Sequence, residues 1–192
     1  PINYTNGKIA FNDFKRQSLL IHQFSHTGPC MTKGDLNNDG LEDVFIGGSA
    51  GQSASIFLQQ KNQAFLQLSQ KEFEIDKDSQ DTDVAIFDAN GDGNADIYVA
   101  SGGYHDYLED DLRLQDRLYL GDGNGNFIKS KNALPSQYIS TGSVAAGDIN
   151  GDGFIDIFVG GKVIPGRYPE TPTSLLLIND GKGQFTDQIN SL

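Results

Sequence analysis

One pattern occurs three times in this sequence. GDLNNDGLEDVFIGG begins at Gly34, FDANGDGNADIYVASGG at Phe87 and GDINGDGFIDIFVGG at Gly147, and the three align without gaps. Their first aspartates, Asp35, Asp88 and Asp148, lie about 53 and then about 60 residues apart, a period that belongs to propellers and repeat arrays. The likeness continues downstream. Each copy is followed by an apolar strand, a turn and a segment with a central Phe: SIFLQQKNQAFLQL, DRLYLGDGNGNFIKS and TSLLLINDGKGQFTD.

The runs DVFIGG, DIYVAS and DIFVGG are rich in β-branched and aromatic residues, are bounded by Gly and are too short for helices. Four strands per unit follow. They are expected near Met31–Asp35, Asp43–Gly47, Ser55–Gln59 and Ala64–Leu68 in the first unit. In the second they fall near Asp83–Asp88, Asp96–Ala100, Arg117–Leu120 and Asn126–Lys129, and in the third near Ser143–Asp148, Asp156–Gly160, Ser174–Ile178 and Gln184–Asp187. DGNG from Asp122 and DGKG from Asp180 supply the hairpin turns between third and fourth strands. This is the economy of a propeller blade. The fold class is therefore all-β, a partial β-propeller of about three four-stranded blades, because closed rings use roughly 4–8. Residues 1–29 form an N-terminal extension or incomplete blade with one stray strand over Leu19–Phe24. Residues 30–72, 73–134 and 135–192 are the three repeats. GYHDYLEDDLRLQD from Gly103 and KVIPGRYPETP from Lys162 lengthen the second and third units between their second and third strands. Insertions at one repeated position gather on one face. The first is read as a solvated loop, with a short amphipathic helix around Leu108–Leu114 as the alternative.

Within each acidic loop, oxygen-bearing side chains occupy positions one, three, five and nine. These are Asp35, Asn37, Asp39 and Asp43; Asp88, Asn90, Asp92 and Asp96; and Asp148, Asn150, Asp152 and Asp156. Position six is Gly in all three, permitting a sharp turn. Position seven would offer the backbone carbonyl of Leu41, Asn94 or Phe154. Calcium seeks six to eight oxygens, which alternate residues of a curling loop can supply together. About three Ca2+ ions are expected. Magnesium suits such loops less, because it retains its waters and strict octahedral geometry. An EF-hand is excluded: its position twelve carries a carboxylate, and here that position is Ile46, Val99 or Val159 inside a strand.

Charge agrees with this reading. The chain carries 26 acidic and 14 basic residues for a net charge of -12, so it lacks the basic footprint of a nucleic-acid binder. No apolar run approaches the ~20 residues that span a bilayer. Cys30 is the single cysteine and cannot form an internal disulfide.

With these residues in hand, the chain resembles the FG-GAP/VCBS repeat family, whose members include integrin α-subunit propellers. The likeness covers about Lys33 to Asp187. Within the family it looks most like bacterial exported multi-repeat proteins of the ASPIC/UnbV-associated type, a closer likeness carried by NDFKR from Asn12, DVFIGG from Asp43, DRLYL from Asp116 and PGRYP from Pro165. The resemblance implies a propeller with calcium in the turn between first and second strands of each blade, and an exported protein.

Two functions follow. The first is an extracytoplasmic scaffold, secreted, periplasmic or on the cell surface. It would bind a protein or glycan ligand through its loop face, beside the remainder of a larger propeller or a neighbouring domain. Tyr104, Tyr107 and Tyr168 in the insertions are candidate sugar platforms. The alternative is part of a calcium-dependent carbohydrate-active enzyme, a lyase or hydrolase. Its candidates are His105 with Asp106, Asp110 and Arg113, or Arg167 with Tyr168; His22 and His26 lie in the unrepeated N-terminal stretch. No nucleophile motif or phosphate-binding Gly loop accompanies them, so catalytic residues are not assigned.

Overall fold

A computed structural model describes residues 2–7, 10–26, 28–49 and 51–191. The apolar run after each acidic loop forms the second strand of its own four-stranded antiparallel sheet. The first sheet is β1 (Met31–Gly34), β2 (Asp43–Ile46), β3 (Ser55–Gln59) and β4 (Phe65–Leu68). The second is β5 (Gln80–Phe87), β6 (Asp96–Gly102), β7 (Arg117–Gly121) and β8 (Phe127–Lys129). The third is β9 (Ser140–Gly147), β10 (Asp156–Val163), β11 (Leu175–Asn179) and β12 (Phe185–Asp187). Strands pair in chain order within each sheet, as a meander joined by short turns requires.

The sheets stack as blades. β5 packs against β1 on one side and β9 on the other, and no comparable packing joins β9 back to β1 among the described residues. The arc of three blades is open. Strand alternation explains the stacking: successive side chains of β6 point to opposite faces. Ile97 and Val99 turn toward the first blade, into a core with Phe45, Ile56 and Leu58. Tyr98 and Ala100 turn toward the third blade, into a core with Ile157, Val159 and Leu177.

Phe45, Tyr98 and Phe158 occupy the same position of the repeat. The first two rings are 0% exposed, whereas Phe158, with no further blade beyond it here, is 43% exposed. Burying such a ring is worth about 1.5–3 kcal/mol, a contribution that each blade–blade contact receives from this one position.

Two segments differ from the expectations. Leu19–Phe24 is not a strand. The N-terminal stretch instead makes one helical turn, α1 (Asp13–Arg16), started by Asn12 Oδ1 accepting the Phe14 N–H, and then a series of bends. Leu20 and Phe24 are buried, four residues apart, against Tyr104 and Val163. The apolar pattern there records two anchors on another element rather than a sheet face. The amphipathic helix suggested for Leu108–Leu114 is reduced to a 3-10 turn over Leu112–Leu114, capped by Asp111. A short helix that the repeat pattern did not signal, α2 (Lys71–Ile75), leads from the first blade to the second. It puts Phe73 edge-on against Phe45 and Tyr119.

Candidate functional site

Antiparallel order places the acidic loops, between first and second strands, at one end of the blades. The insertions, between second and third strands, lie at the other. At the loop end the three copies fold alike. The first aspartate accepts from the loop's own backbone: Asp35 takes the Asp39 and Gly40 N–H groups at 3.1 and 2.8 Å. Asp88 takes those of Asp92 and Gly93, and Asp148 those of Asp152 and Gly153. The sixth-position glycines Gly40, Gly93 and Gly153 stand at φ of 82°, 82° and 90°, a conformation that other residues rarely adopt. The third-position amide donates to the fifth-position carboxylate, Asn37 to Asp39, Asn90 to Asp92 and Asn150 to Asp152. The fifth carboxylate in turn accepts the position-seven N–H of Leu41, Asn94 or Phe154.

Position nine has a role that spacing does not reveal. Asp43, Asp96 and Asp156 are each 0% exposed. Each accepts one N–H from the loop's second residue and one from the third strand or its end. Asp43 takes Leu36 and Gln59, Asp96 takes Ala89 and Gly121, and Asp156 takes Ile149 and Asn179. These carboxylates rivet the loop to the sheet. Burial raises the Asp96 carboxyl to about 6, two backbone N–H bonds oppose that, and the Asp92 and Asp88 charges add to the rise. Burial likewise raises Asp43, with Asp39 and Asp35 contributing.

Among the described residues, no group of three or more His, Cys, Asp or Glu side chains is gathered as a metal cluster. The loop carboxylates face their own amides instead. A carboxylate has about four lone-pair sites, so those bonds leave acceptor capacity in every loop. The Asp88, Asp92 and Asp96 charges also feel one another. All-oxygen donors with mutually repelling charge suit a hard divalent cation.

At the insertion end, three stretches distant in sequence converge. The Arg16 guanidinium donates to the carbonyls of Tyr104, His105 (3.1 Å) and Tyr107 (2.7 Å) and lies 5.1 Å from the Tyr104 ring centroid. Gln17 accepts from the Tyr104 hydroxyl and the Tyr168 N–H, and donates to the Tyr168 carbonyl. Asp13 is buried and accepts the Phe24 and Ser25 N–H groups at 2.6 and 2.8 Å. NDFKR and the Gln17 that follows it thus form a clamp that fixes both insertions. Tyr104 and Tyr107 are 0% exposed, so they are core residues and not sugar platforms; Tyr168 is half-buried against the same cluster.

Arg16→Ala should remove at least about 3 kcal/mol of stability, since each of its three bonds from a charged donor contributes about 1.5–3 kcal/mol. It should also speed proteolytic cleavage within residues 103–116 in a limited-proteolysis time course. Arg16→Lys should restore only part of the protection, because an ammonium cannot fork across three carbonyls. Cleavage at the wild-type rate in Arg16→Ala would refute the clamp.

Of the catalytic candidates, His105 Nε2 and Arg113 both meet Asp106, at 2.9 and 3.3 Å. Arg113 is also held by Asp111 at 2.6 Å and stacks 4.1 Å above the Tyr107 ring. Arg113 is thus held between two carboxylates, and burial lowers the His105 imidazole below its usual value. Asp110 is exposed, His22 stacks beside Phe24, and His26 bonds the Phe11 carbonyl; they are not brought to one point.

Repeated four-stranded blades, carrying one acidic loop each, define a propeller-type repeat protein. A family model described as FG-GAP-like repeat matches residues 35–99 and 103–159, more than half of the chain, and the chain belongs to that family. No curated protein sequence matches it. Among solved structures it is similar to an Agrocybe aegerita lectin described by its specific recognition of non-reducing terminal N-acetylglucosamine. The identity is 25% and the TM-score 0.51, over 81% of this chain and 36% of that one. The chain thus spans about a third of that lectin's length.

Proposed function

We propose that this chain is a calcium-stabilised recognition segment of a larger propeller, working outside the cytoplasm and binding glycans at its insertion face. The observation that carries the calcium reading is the threefold repetition of one all-oxygen donor set on one loop conformation. Asp35, Asn37, Asp39, Asp43 and the Leu41 carbonyl would hold the first ion. Asp88, Asn90, Asp92, Asp96 and the Asn94 carbonyl would hold the second, and Asp148, Asn150, Asp152, Asp156 and the Phe154 carbonyl the third. Calcium would supply the positive charge that offsets the carboxylates' mutual repulsion and fixes each loop. Extracellular calcium modules work at about 10⁻⁴–10⁻³ M, which fits an exterior setting. The lectin's described specificity supports a glycan over a protein ligand, and the clamped insertions offer it a pre-ordered surface.

The test is retention of the full chain on immobilised glycans ending in N-acetylglucosamine, galactose or mannose. Retention with calcium and release by a chelator is the expected result. Failure to bind any of them with calcium present would remove the glycan reading.

A further inference from the structure

We infer that the cleft between the two insertions is the sugar-binding site, and that it takes a neutral pyranose; this rests on the glycan reading above. The cleft encloses about 300 Å³ and lies between the second- and third-blade insertions and the link entering β9. That volume is at the lower end for small-molecule sites, suited to one or two sugar rings. Its walls are apolar and polar in the mixture a pyranose requires. Tyr138, Ile164 and Pro172, all partly exposed, offer carbon surface to a ring face, and the exposed Thr173 places a hydroxyl-bearing residue beside it, while the buried Ser140 spends its hydroxyl on the Gly103 backbone beneath.

The rim decides the ligand's charge. Arg167 Nη1 meets Glu109 Oε2 at 2.5 Å across the cleft mouth, joining the two insertions, and its other side is held by Glu170. Two carboxylates around one guanidinium leave a net negative rim. An anionic ligand would have to displace a carboxylate and approach the second. A neutral polyol needs neither step, because its hydroxyls can donate to Glu109 and accept from Arg167 while the pair stays intact.

The walls are also fixed before any ligand arrives. Gln17 holds the Tyr168 backbone next to Arg167, and Arg16 holds residues 104–107 just before Glu109. A pre-ordered wall lowers the entropy cost of binding. A second groove of about 300 Å³, lined by Asp76, Arg117, Lys129 and Lys131, is the natural comparison. Its Lys129 is paired with Asp76 and its Arg117 with Asp81 inside the protein.

The experiment is a titration of the isotope-labelled full chain, in calcium, with N-acetylglucosamine, methyl glucoside, galactose and glucuronate, followed by amide chemical shifts. At least one neutral sugar should move resonances of residues 138–140, 163–167 and 172–173, and glucuronate should bind at least about tenfold more weakly. Thr173→Phe, which fills an exposed edge of the cleft, should abolish those shifts. Arg167→Ala, at an exposed position, should weaken binding about tenfold, or about 1.4 kcal/mol. A neutral sugar that shifts residues lining the second groove and binds both variants unchanged would overturn the cleft assignment while leaving the glycan reading standing. Glucuronate binding as tightly as the neutral sugars would overturn the charge argument. If no sugar binds here and none of the immobilised glycans retains the chain, both readings fall together.

Discussion

Adding millimolar calcium will raise the melting temperature of this protein, and a chelator will lower it. On the proposed reading each loop binds one ion in the folded state only. With dissociation constants of about 10⁻⁴–10⁻³ M, calcium at about 10 mM is roughly 10–100 times Kd and adds about 1.4–2.7 kcal/mol per site, so three independent sites add roughly 4–8 kcal/mol. A chain of this size shifts by about 2–4 °C per kcal/mol, giving an expected rise of roughly 10–30 °C. The structure makes the substitutions specific. Asp152 is the fifth-position carboxylate, accepting from Asn150 Nδ2 at 2.8 Å and the Phe154 N–H at 2.8 Å. Asp152→Ala therefore removes a charge and an organising acceptor, whereas Asn150→Ala removes a neutral oxygen. Calorimetry should find the third site weakened more by the aspartate change. A melting curve unmoved by calcium and chelator alike would sink the metal assignment.

Asp81→Asn should destabilise the fold by about 3–5 kcal/mol, the usual result of stripping one partner from a buried ion pair. Arg117 is 4% exposed, and its Nη2 meets Asp81 Oδ1 at 2.5 Å. The same guanidinium bonds Ser101 Oγ, while Asp81 Oδ2 accepts the Gly48 N–H at 2.6 Å. One carboxylate thus ties the second blade to the first and neutralises an arginine without access to water. The register shift between Asp81 and Asp83 in β5 is the kind of bulge that re-aims a side chain. Replacing both residues, Asp81→Leu with Arg117→Met, should cost much less than the single change, because no uncompensated charge remains. Chemical denaturation of the wild type, Asp81→Leu, Arg117→Met and the double variant closes this cycle; a loss below about 1 kcal/mol in Asp81→Asn would contradict the ion-pair reading.

The repeat made the blades legible because strand identity there is local. DVFI, DIYV and DIFV are bounded by Asp and Gly, and β2 runs over Asp43–Ile46 against an expectation of Asp43–Gly47. β10 runs on to Val163, past the expected Gly160, since its first residues of the insertion still pair, with irregular register, with β9. What resisted reading depends on partners far along the chain. Tyr104 and Tyr107 sit in a polar stretch that looks solvated, and they are buried in an insertion held by Arg16 from nearly ninety residues away. Glu109 carries no motif of its own, and comes beside Tyr138 and Ser140 only when the second-blade insertion is set against the link entering β9. The NDFKR and PGRYP stretches were the available signal: both departed from the repeat, and the structure joins them through Gln17 and Tyr168.

The aromatic shared by β2, β6 and β10 gives the array a direction. Every blade offers a ring on one side and a branched-aliphatic socket on the other, so the contact is head-to-tail and never its own mirror. Duplicating a whole unit creates a ready-made fit at both junctions, whereas half of one brings only part of the face that its neighbour needs. Growth by entire copies is thereby the route of least disruption.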